Sequence, residues 1–378
     1  MRVVSGGVCS PRGFLASGLR CGIKRKRPDV ALIYSLRPAV ACGVCTVNSF
    51  KAAPVQLSRR HLRGGQARAV IVNSGNANCF TGAYGMAYAQ RMARAVAGRL
   101  SLKEQEVLVA STGIIGKVLP IVRIERAVPE LVSMLSRKGG TSAAEAIMTT
   151  DKILKHLSVR FRWGGTDIKI GAMAKGAGMI APKMSTMLCF ITTDALITRP
   201  ALKAALKDAV ETSFNNITVD GCMSTNDSVF ILANGVAGNP CISLRDKGFS
   251  AFCQALAFVC DRLARAIIAD AEGATKFIEI NILGADNDSL ARDIGLSLAN
   301  SNLFKTAVYG GNPNWGRIVA AVGSLGISLK QDEVKIKWTS FRCRSIRVDI
   351  SLSRGRGKAR IYTSDLTPEY IKINAEYS

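Results

Sequence analysis

Apolar residues recur every third or fourth position in several stretches of the chain. Between Pro200 and Phe214 they stand at Leu202, Leu206, Val210 and Phe214. That stripe behind a first-turn proline predicts an amphipathic helix. A second helix is predicted between Phe249 and Ile267, with Phe249, Phe252, Leu256, Val259, Leu263 and Ala266 on its apolar side. A third starts at Asp288 and places Leu290, Ile294 and Leu298 on one face,. Strand patterns alternate with these. Ala69–Val72 and Val107–Ala110 are short apolar runs, and Phe277–Ile282 sets Ile278, Ile280 and Ile282 against Glu279 and Asn281,. Elements mixed in this order predict an α/β or α+β layered fold.

Composition narrows the class. A chain of 378 residues with 48% hydrophobic and 21% charged positions has room for two sizeable cores or one large layered domain,. It is too apolar for a disordered protein. Lys and Arg number 51 against 27 Asp and Glu, a formal charge of +24, which raises nucleic acid or an anionic membrane as partners. The basic residues are spread out, however, with dense spots only at Lys24–Arg27 and Arg354–Arg360, and aromatic rings make up 6% of the chain. Few rings stand among the cations to stack on bases. A soluble enzyme with a basic surface is the favoured reading, with neither nucleic acid nor membrane as partner.

The 11 cysteines are irregularly spaced, which favours a reducing compartment over a disulfide framework,. The CxxC pair Cys42 and Cys45 has no second pair at zinc spacing, and His61 and His156 are the only histidines. No metal site is expected. The N-terminus lacks a signal-like apolar region, and no run reaches the ~18 apolar residues of a membrane helix. The expected compartment is the cytoplasm.

Four glycine-rich segments read as loops that collect functional groups: Asn73–Asn78, Ser111–Gly116, Lys175–Met179 and Tyr309–Gly316. Gly176-Ala-Gly178-Met-Ile-Ala181 fits a loose dinucleotide pattern, yet Pro182 and a strand-like run follow where a helix is required,. Ser111–Lys117 lacks Walker spacing, no G-x-S-x-G elbow occurs, and two scattered histidines make a poor Ser-His-Asp triad,. If the chain is a hydrolytic or transfer enzyme, a nucleophile that works without histidine fits better. A threonine freed at a chain terminus can use its own α-amino group as base, since that amine titrates near ~7.7–8. Thr186 heads an apolar run, where a threonine is ordinarily just a strand residue.

The segment Lys175-Gly-Ala-Gly-Met-Ile-Ala-Pro-Lys-Met-Ser-Thr-Met-Leu188 resembles the self-processing segment of the ornithine acetyltransferase family, also called bifunctional glutamate N-acetyltransferase. The likeness runs along nearly the whole chain. Pro11–Phe14, Ala31–Ile33, Pro38–Val44, Asn73–Asn78 and Ser111–Gly116 appear in the family's order. Thr149–Asp151, Thr218–Gly221, Ser224–Asp227, Glu272–Lys276, Pro313–Arg317 and Asn374–Tyr377 complete the set.

The resemblance implies a self-processing fold of the N-terminal-nucleophile type, shared with self-cleaving aminopeptidases. It implies cleavage between Ser185 and Thr186 into an α chain, 1–185, and a β chain, 186–378. Thr186 would then carry acetyl from N2-acetyl-L-ornithine to L-glutamate by a ping-pong cycle. Thr112 and Gly113 would stabilise the oxyanion, and Thr149, Lys175, Thr186, Glu272 and Asn374 would hold substrate. A cationic Lys175 suits a carboxylate and an anionic Glu272 an ammonium group. No cofactor is implied. Family members differ in whether they also draw acetyl from acetyl-CoA, and they assemble from two α and two β chains.

Four positions depart from the family pattern. Ser185 stands where alanine is usual, Lys183 where asparagine is usual, and Asn312 where aspartate is common. The chain ends at Ser378, one residue early, so the family's terminal hydroxyl contact is not carried over. Two other readings stay beside this one: a self-cleaving aminopeptidase of related fold, and a basic nucleic-acid-binding protein whose binding would depend strongly on salt.

Overall fold

A computed structural model describes residues 1–181 and 187–376. The described residues divide into two compact units. The first takes in residues 1–176, those from 187 to 213, and 223–263; the second takes in 177–181, 214–222 and those from 264 onward.

The first unit is built on a sheet of nine strands among the described residues. These are β1 (Arg2–Val4), β2 (Phe14–Leu19), β3 (Val30–Cys45), β4 (Gln66–Asn76), β5 (Val107–Ile114), β6 (Lys155–Trp163), β7 (Thr166–Lys175), β8 (Leu188–Thr193) and β9 (Ser228–Ala233). Their spatial order is β1-β6-β7-β8-β9-β3-β4-β5, with β2 also on β3. The helices are α1 (Ala53–His61), α2 (Ala83–Leu100), α3 (Ile121–Ser133), α4 (Gly140–Ile147), α5 (Arg199–Glu211) and most of α6 (Lys247–Ala269). Strand β3 serves β2 with its first half, β9 with its second and β4 along its other edge, where the register shifts between Tyr34 and Ala39. Pro38 lies in that gap, where a residue without an N–H leaves no ladder bond unmade.

The runs Ala69–Val72 and Val107–Ala110 are continuous rather than alternating because this part of the sheet is covered on both faces. Val70, Val72, Leu108 and Ala110 join a core with Ala143 and Ile147 of α4. Ala69, Ile71, Val107 and Val109 join another with Leu57 of α1, Met92 and Val96 of α2, and Ile124 and Leu131 of α3. Helices α5 and α6 form where the apolar stripes lie: Leu202, Leu206, Val210, Phe252, Leu256, Val259 and Leu263 are all buried.

The second unit has a four-stranded sheet, β11-β12-β10-β13. Its elements are β10 (Phe277–Ala285), α7 (Asp288–Ala299), α8 (Asn302–Tyr309), α9 (Gly316–Gly323), β11 (Val334–Trp338), β12 (Ser345–Leu352), β13 (Gly357–Ser364) and α10 (Pro368–Ala375). Helix α7 begins at Asp288 because the Asn287 side chain accepts the Leu290 N–H, an N-cap that replaces a missing intrahelical bond. Ile278, Ile280 and Ile282 of β10 pack with Ile294 and Leu298 of α7 and Phe304 of α8. Each such buried side chain is worth roughly 1.5–3 kcal/mol. The opposite face is polar: Asn281 Nδ2 donates to Asp349 at 2.9 Å, and Arg360 pairs with Glu279 at 3.8 Å. The chain is thus a mixed α/β layered fold, a helix-covered sheet in one unit and a two-layer sheet and helices in the other.

Candidate active site

Position 186, the expected nucleophile, lies outside the described residues, as do positions 183, 185 and 378. The other residues singled out by the sequence fall in two groups. Thr112, Gly113, Thr149 and Lys175 belong to the first unit, and Glu272 and Asn374 to the second.

Thr112 and Gly113 are strand residues, not a loop. The parallel β4–β5 ladder continues past the apolar run and pairs Asn73 with Ser111, Ser74 with Thr112 and Gly75 with Gly113. The same holds for Asn73–Asn76, which closes β4. These polar residues remain in strands because they are buried and find partners: Ser111 Oγ donates to Asn73 Oδ1 at 2.6 Å, and Asn73 Nδ2 to the Asn76 carbonyl at 2.8 Å. The register breaks at Gly75/Asn76. Opposite that break Gly113 has φ +133°, and a Cβ on it would stand 2.3 Å from the Gly75 carbonyl carbon. Only glycine fits there. The Thr112 side chain is buried, and its hydroxyl makes no hydrogen bond with any described residue.

Asn226 clamps this corner. Its Nδ2 donates to the Ala77 carbonyl at 2.6 Å and the Ser111 carbonyl at 2.9 Å, and its Oδ1 accepts from Thr225. Next to it, Asp227 Oδ1 accepts the Met187 N–H at 2.9 Å, while Oδ2 is buried with no hydrogen-bond partner among the described residues. Burial pushes the Asp227 carboxyl well above the usual carboxylate range, against the opposing pull of the Met187 N–H, Lys175 and Ser224.

Lys175 is the last residue of β7, not part of a solvated loop. It is buried and stands opposite Leu188 of β8. Leu188 in turn pairs in parallel with Ser228 of β9, which is why residue 187 meets residue 227. Asp151 organises the neighbourhood. Its Oδ1 accepts from Lys155 Nζ at 2.7 Å and from the Gly176 N–H at 2.8 Å, and its Oδ2 accepts the Thr149 N–H at 3.0 Å. Burial acts to raise the Asp151 carboxyl, but the Lys175 and Lys155 cations and the Gly176 N–H outweigh it and hold the group well below the usual range. One buried carboxylate therefore ties Thr149 to the end of the strand carrying Lys175.

In the second unit Glu272 is buried, its N–H donating to the Ala177 carbonyl at 2.9 Å. Asn374 Nδ2 donates to Glu272 Oε2 at 2.9 Å. Helix α10 is docked to allow this. The Thr367 hydroxyl caps it by accepting the Tyr370 N–H and donates to the Gly273 carbonyl at 2.7 Å. The second glycine of the discounted dinucleotide pattern now has a reason. A Cβ on Gly178 would lie 2.2 Å from Glu272 Oε2, so the carboxylate rests where a side chain would be. Asp220 holds the neighbouring backbone through the Met179 N–H at 2.6 Å and the Ile180 N–H at 2.9 Å.

Asp151, Asp220, Asn226 and Asp227 were visible in the sequence only as members of ordered signatures, with no role of their own. Local cues existed for Asp151 and Asp220, whose carboxylates bind backbone N–H groups two residues away, at Thr149 and Cys222, as short polar side chains do in turns. Among the described residues no group of three or more His, Cys, Asp or Glu could hold a metal ion. His61 is buried, with Nδ1 2.8 Å from the Val107 carbonyl. Burial also raises the Cys42 and Cys45 thiols, the latter to about 11.

The model of the ArgJ family matches residues 15–344. The chain belongs to the ArgJ family. It is similar along its length to curated members named arginine biosynthesis bifunctional protein ArgJ. The protein of Dehalococcoides mccartyi is 44% identical, with 99% of this chain and 97% of that one covered. The protein of Caldanaerobacter subterraneus subsp. tengcongensis is 41% identical, with both chains covered completely. A solved ornithine acetyltransferase of Mycobacterium tuberculosis, complexed with ornithine, is 40% identical over 48% of this chain and 97% of that chain, with a TM-score of 0.45. Membership of the ArgJ family makes the chain an acyltransferase of arginine biosynthesis. The family match includes the Thr112–Gly113, Thr149–Asp151, Lys175 and Glu272 segments, and the matched relatives extend it to Asn374.

Proposed function

We propose that this ArgJ-family chain cleaves itself between Ser185 and Thr186 and then moves acetyl from N2-acetyl-L-ornithine to L-glutamate through an acetyl-Thr186 ester. The observation that carries the reading is the family match across residues 15–344. The register around the cut supports it. Lys175 stands opposite Leu188, and Asp227 fixes the Met187 N–H, so the backbone just after position 186 is held by the β7–β8 ladder and a buried carboxyl.

Maturation is an N-to-O acyl shift. The Thr186 hydroxyl adds to the Ser185 carbonyl, the C–N bond breaks to free the Thr186 amine, and water hydrolyses the resulting ester to leave the Ser185 carboxylate. In turnover the same hydroxyl adds to the acetyl carbonyl, its proton passing to the α-amine. Ornithine leaves with its amine restored. The amine of glutamate then attacks the ester to give N-acetylglutamate and regenerate Thr186. Both steps pass through oxyanions, for which Thr112 and Gly113 are the proposed donors; the Thr112 hydroxyl, which bonds no described residue, suits that role. Thr149, Lys175, Thr186, Glu272 and Asn374 hold substrate, Lys175 toward a carboxylate and Glu272 toward the ornithine ammonium. No cofactor takes part, and acetyl-CoA is a second acetyl donor to glutamate if the enzyme is bifunctional like its named relatives.

The cut chains, 1–185 and 186–378, stay joined because β7 precedes the cut and β8 follows it within one sheet. They assemble as two α and two β chains in the cytoplasm; among the described residues no helix is long and apolar enough to cross a membrane.

Thr112→Ala is expected to lower kcat by roughly 10²–10³-fold, the scale of one lost oxyanion donor, as read from steady-state ornithine release. The functional assay is purified enzyme with N-acetylornithine and glutamate, with parallel arms of acetyl-CoA plus glutamate and of a chromogenic aminoacyl anilide. Glutamate-dependent ornithine release supports the proposal. Anilide hydrolysis without acetyl transfer overturns it in favour of an aminopeptidase.

A further inference from the structure

The basic run Lys24–Arg27 plays no part in the chemistry above, yet its first and last side chains are fastened within the fold. The buried Asp29 carboxylate accepts the backbone N–H groups of Cys21 at 2.6 Å, Gly22 at 3.0 Å and Lys24 at 2.9 Å. That fixes the loop and with it the starting point of the Lys24 side chain. The stem then runs against Gly75: a Cβ on that glycine would meet Lys24 Cγ at 2.9 Å. Gly75 is the ladder partner of Gly113, so the Lys24 stem lies one strand away from the proposed oxyanion donors.

At its tip, Lys24 Nζ donates to the Met148 carbonyl at 2.7 Å, one residue before Thr149. Arg27 donates to the Asp151 carbonyl at 3.0 Å, so the run embraces the turn carrying Thr149. An ammonium has three N–H donors, and Lys24 makes no other side-chain hydrogen bond with a described residue. It is half-buried. Burial draws its pKa down to about 8; Asp29 opposes this, the Arg27 and Lys175 cations add to it, and Asp151 opposes it. A partly desolvated cation with spare donors, in the field of Asp29 and Asp151 as well as Lys175, can receive an anionic group,.

The two substrates of the proposed cycle differ in one respect. The donor's side chain ends in an ammonium group and the acceptor's in a carboxylate. The acceptor's side-chain carboxylate therefore needs a cation that the donor does not. We propose that Lys24 is a substrate-contacting, specificity-determining residue that pairs with the side-chain carboxylate of the acyl acceptor. The assignment rests on the transfer reading above and deepens it.

The test compares wild type with Lys24→Met and Lys24→Arg, after maturation, in steady-state kinetics with glutamate and glutamine as alternative acceptors. In Lys24→Met the KM for glutamate is expected to rise roughly 10- to 100-fold more than that for N-acetylornithine, the scale of one charge-assisted hydrogen bond. The wild-type preference for glutamate over glutamine should collapse, and Lys24→Arg should retain most of it. If Lys24→Met does not fold, Lys24→Gln replaces it in the same comparison. Equal KM increases for donor and acceptor, or an unaltered glutamate preference, overturn the assignment and leave only a structural role in holding Met148. Wild-type enzyme that transfers no acetyl group overturns the transfer reading and takes this assignment with it.

Discussion

Thr186→Ala is expected to run on a denaturing gel as one uncut chain and to release no ornithine from N-acetylornithine. A single oxygen is assigned two duties. It attacks the peptide carbonyl on its N-terminal side once, and the acetyl carbonyl in every later cycle. Alanine removes that oxygen, so the ester of maturation and the ester of turnover are both lost. Deleting a covalent nucleophile costs on the order of 10⁶-fold in kcat, and here the α-amine that serves as base is never freed either. Thr186→Ser keeps a hydroxyl and is expected to mature and turn over, which separates loss of the nucleophile from loss of folding. An alanine variant that is cut and active would move the nucleophile elsewhere.

Asp151→Asn is expected to have the largest effect on stability, about 3–5 kcal/mol at neutral pH, the usual cost of stranding one member of a buried ion pair. Both side chains of the Asp151–Lys155 pair are fully buried, so little solvent screening weakens it. Asparagine would leave the Lys155 ammonium facing a neutral amide and would loosen the bonds to Thr149 and Gly176. The folded carboxyl is held below its usual value, and the unfolded one titrates near ~3.9. Its contribution is therefore fully present above that pH and fades as pH falls toward the folded value. Urea unfolding of wild type and variant should show the full gap at pH 7 and a narrower one below pH ~4. Asp151→Asn/Lys155→Met should recover part of the loss. A gap under about 1 kcal/mol at pH 7 would remove Asp151 from its organising role.

The periodic elements were legible in the sequence. Leu202, Leu206 and Val210 mark α5, the Phe252–Leu263 stripe marks α6, and Asp288 opens α7. Such patterns are local, and a few residues carry them. The polar ends of β4 and β5 were not legible as strands. Asn73, Ser111 and Thr112 read as turn residues by type, yet long-range partners hold them buried in a sheet, Asn226 among them from 115 residues beyond Ser111. Lys175 and Glu272 read as chemistry-bearing only through resemblance, because burial of a charge depends on what surrounds it in space. The Asp151 carboxylate shows the same: Gly176 lies 25 residues away. The glycines were visible as glycines, but that Gly178 leaves room for a carboxylate and Gly113 for a neighbouring strand emerges only in three dimensions.

The basic runs show how a charge count misleads. Arg27 and Lys24 are fastened to backbone carbonyls, Arg354 pairs with Asp286 at 3.1 Å, and Arg360 with Glu279. Two of the four basic side chains in each dense spot are thus engaged within the fold.

The most direct measurement is intact mass and N-terminal sequencing of the purified, active wild-type protein. Two polypeptides are predicted, one ending at Ser185 and the other beginning Thr-Met-Leu-Cys. A single full-length polypeptide that transfers acetyl at the same rate would contradict the account.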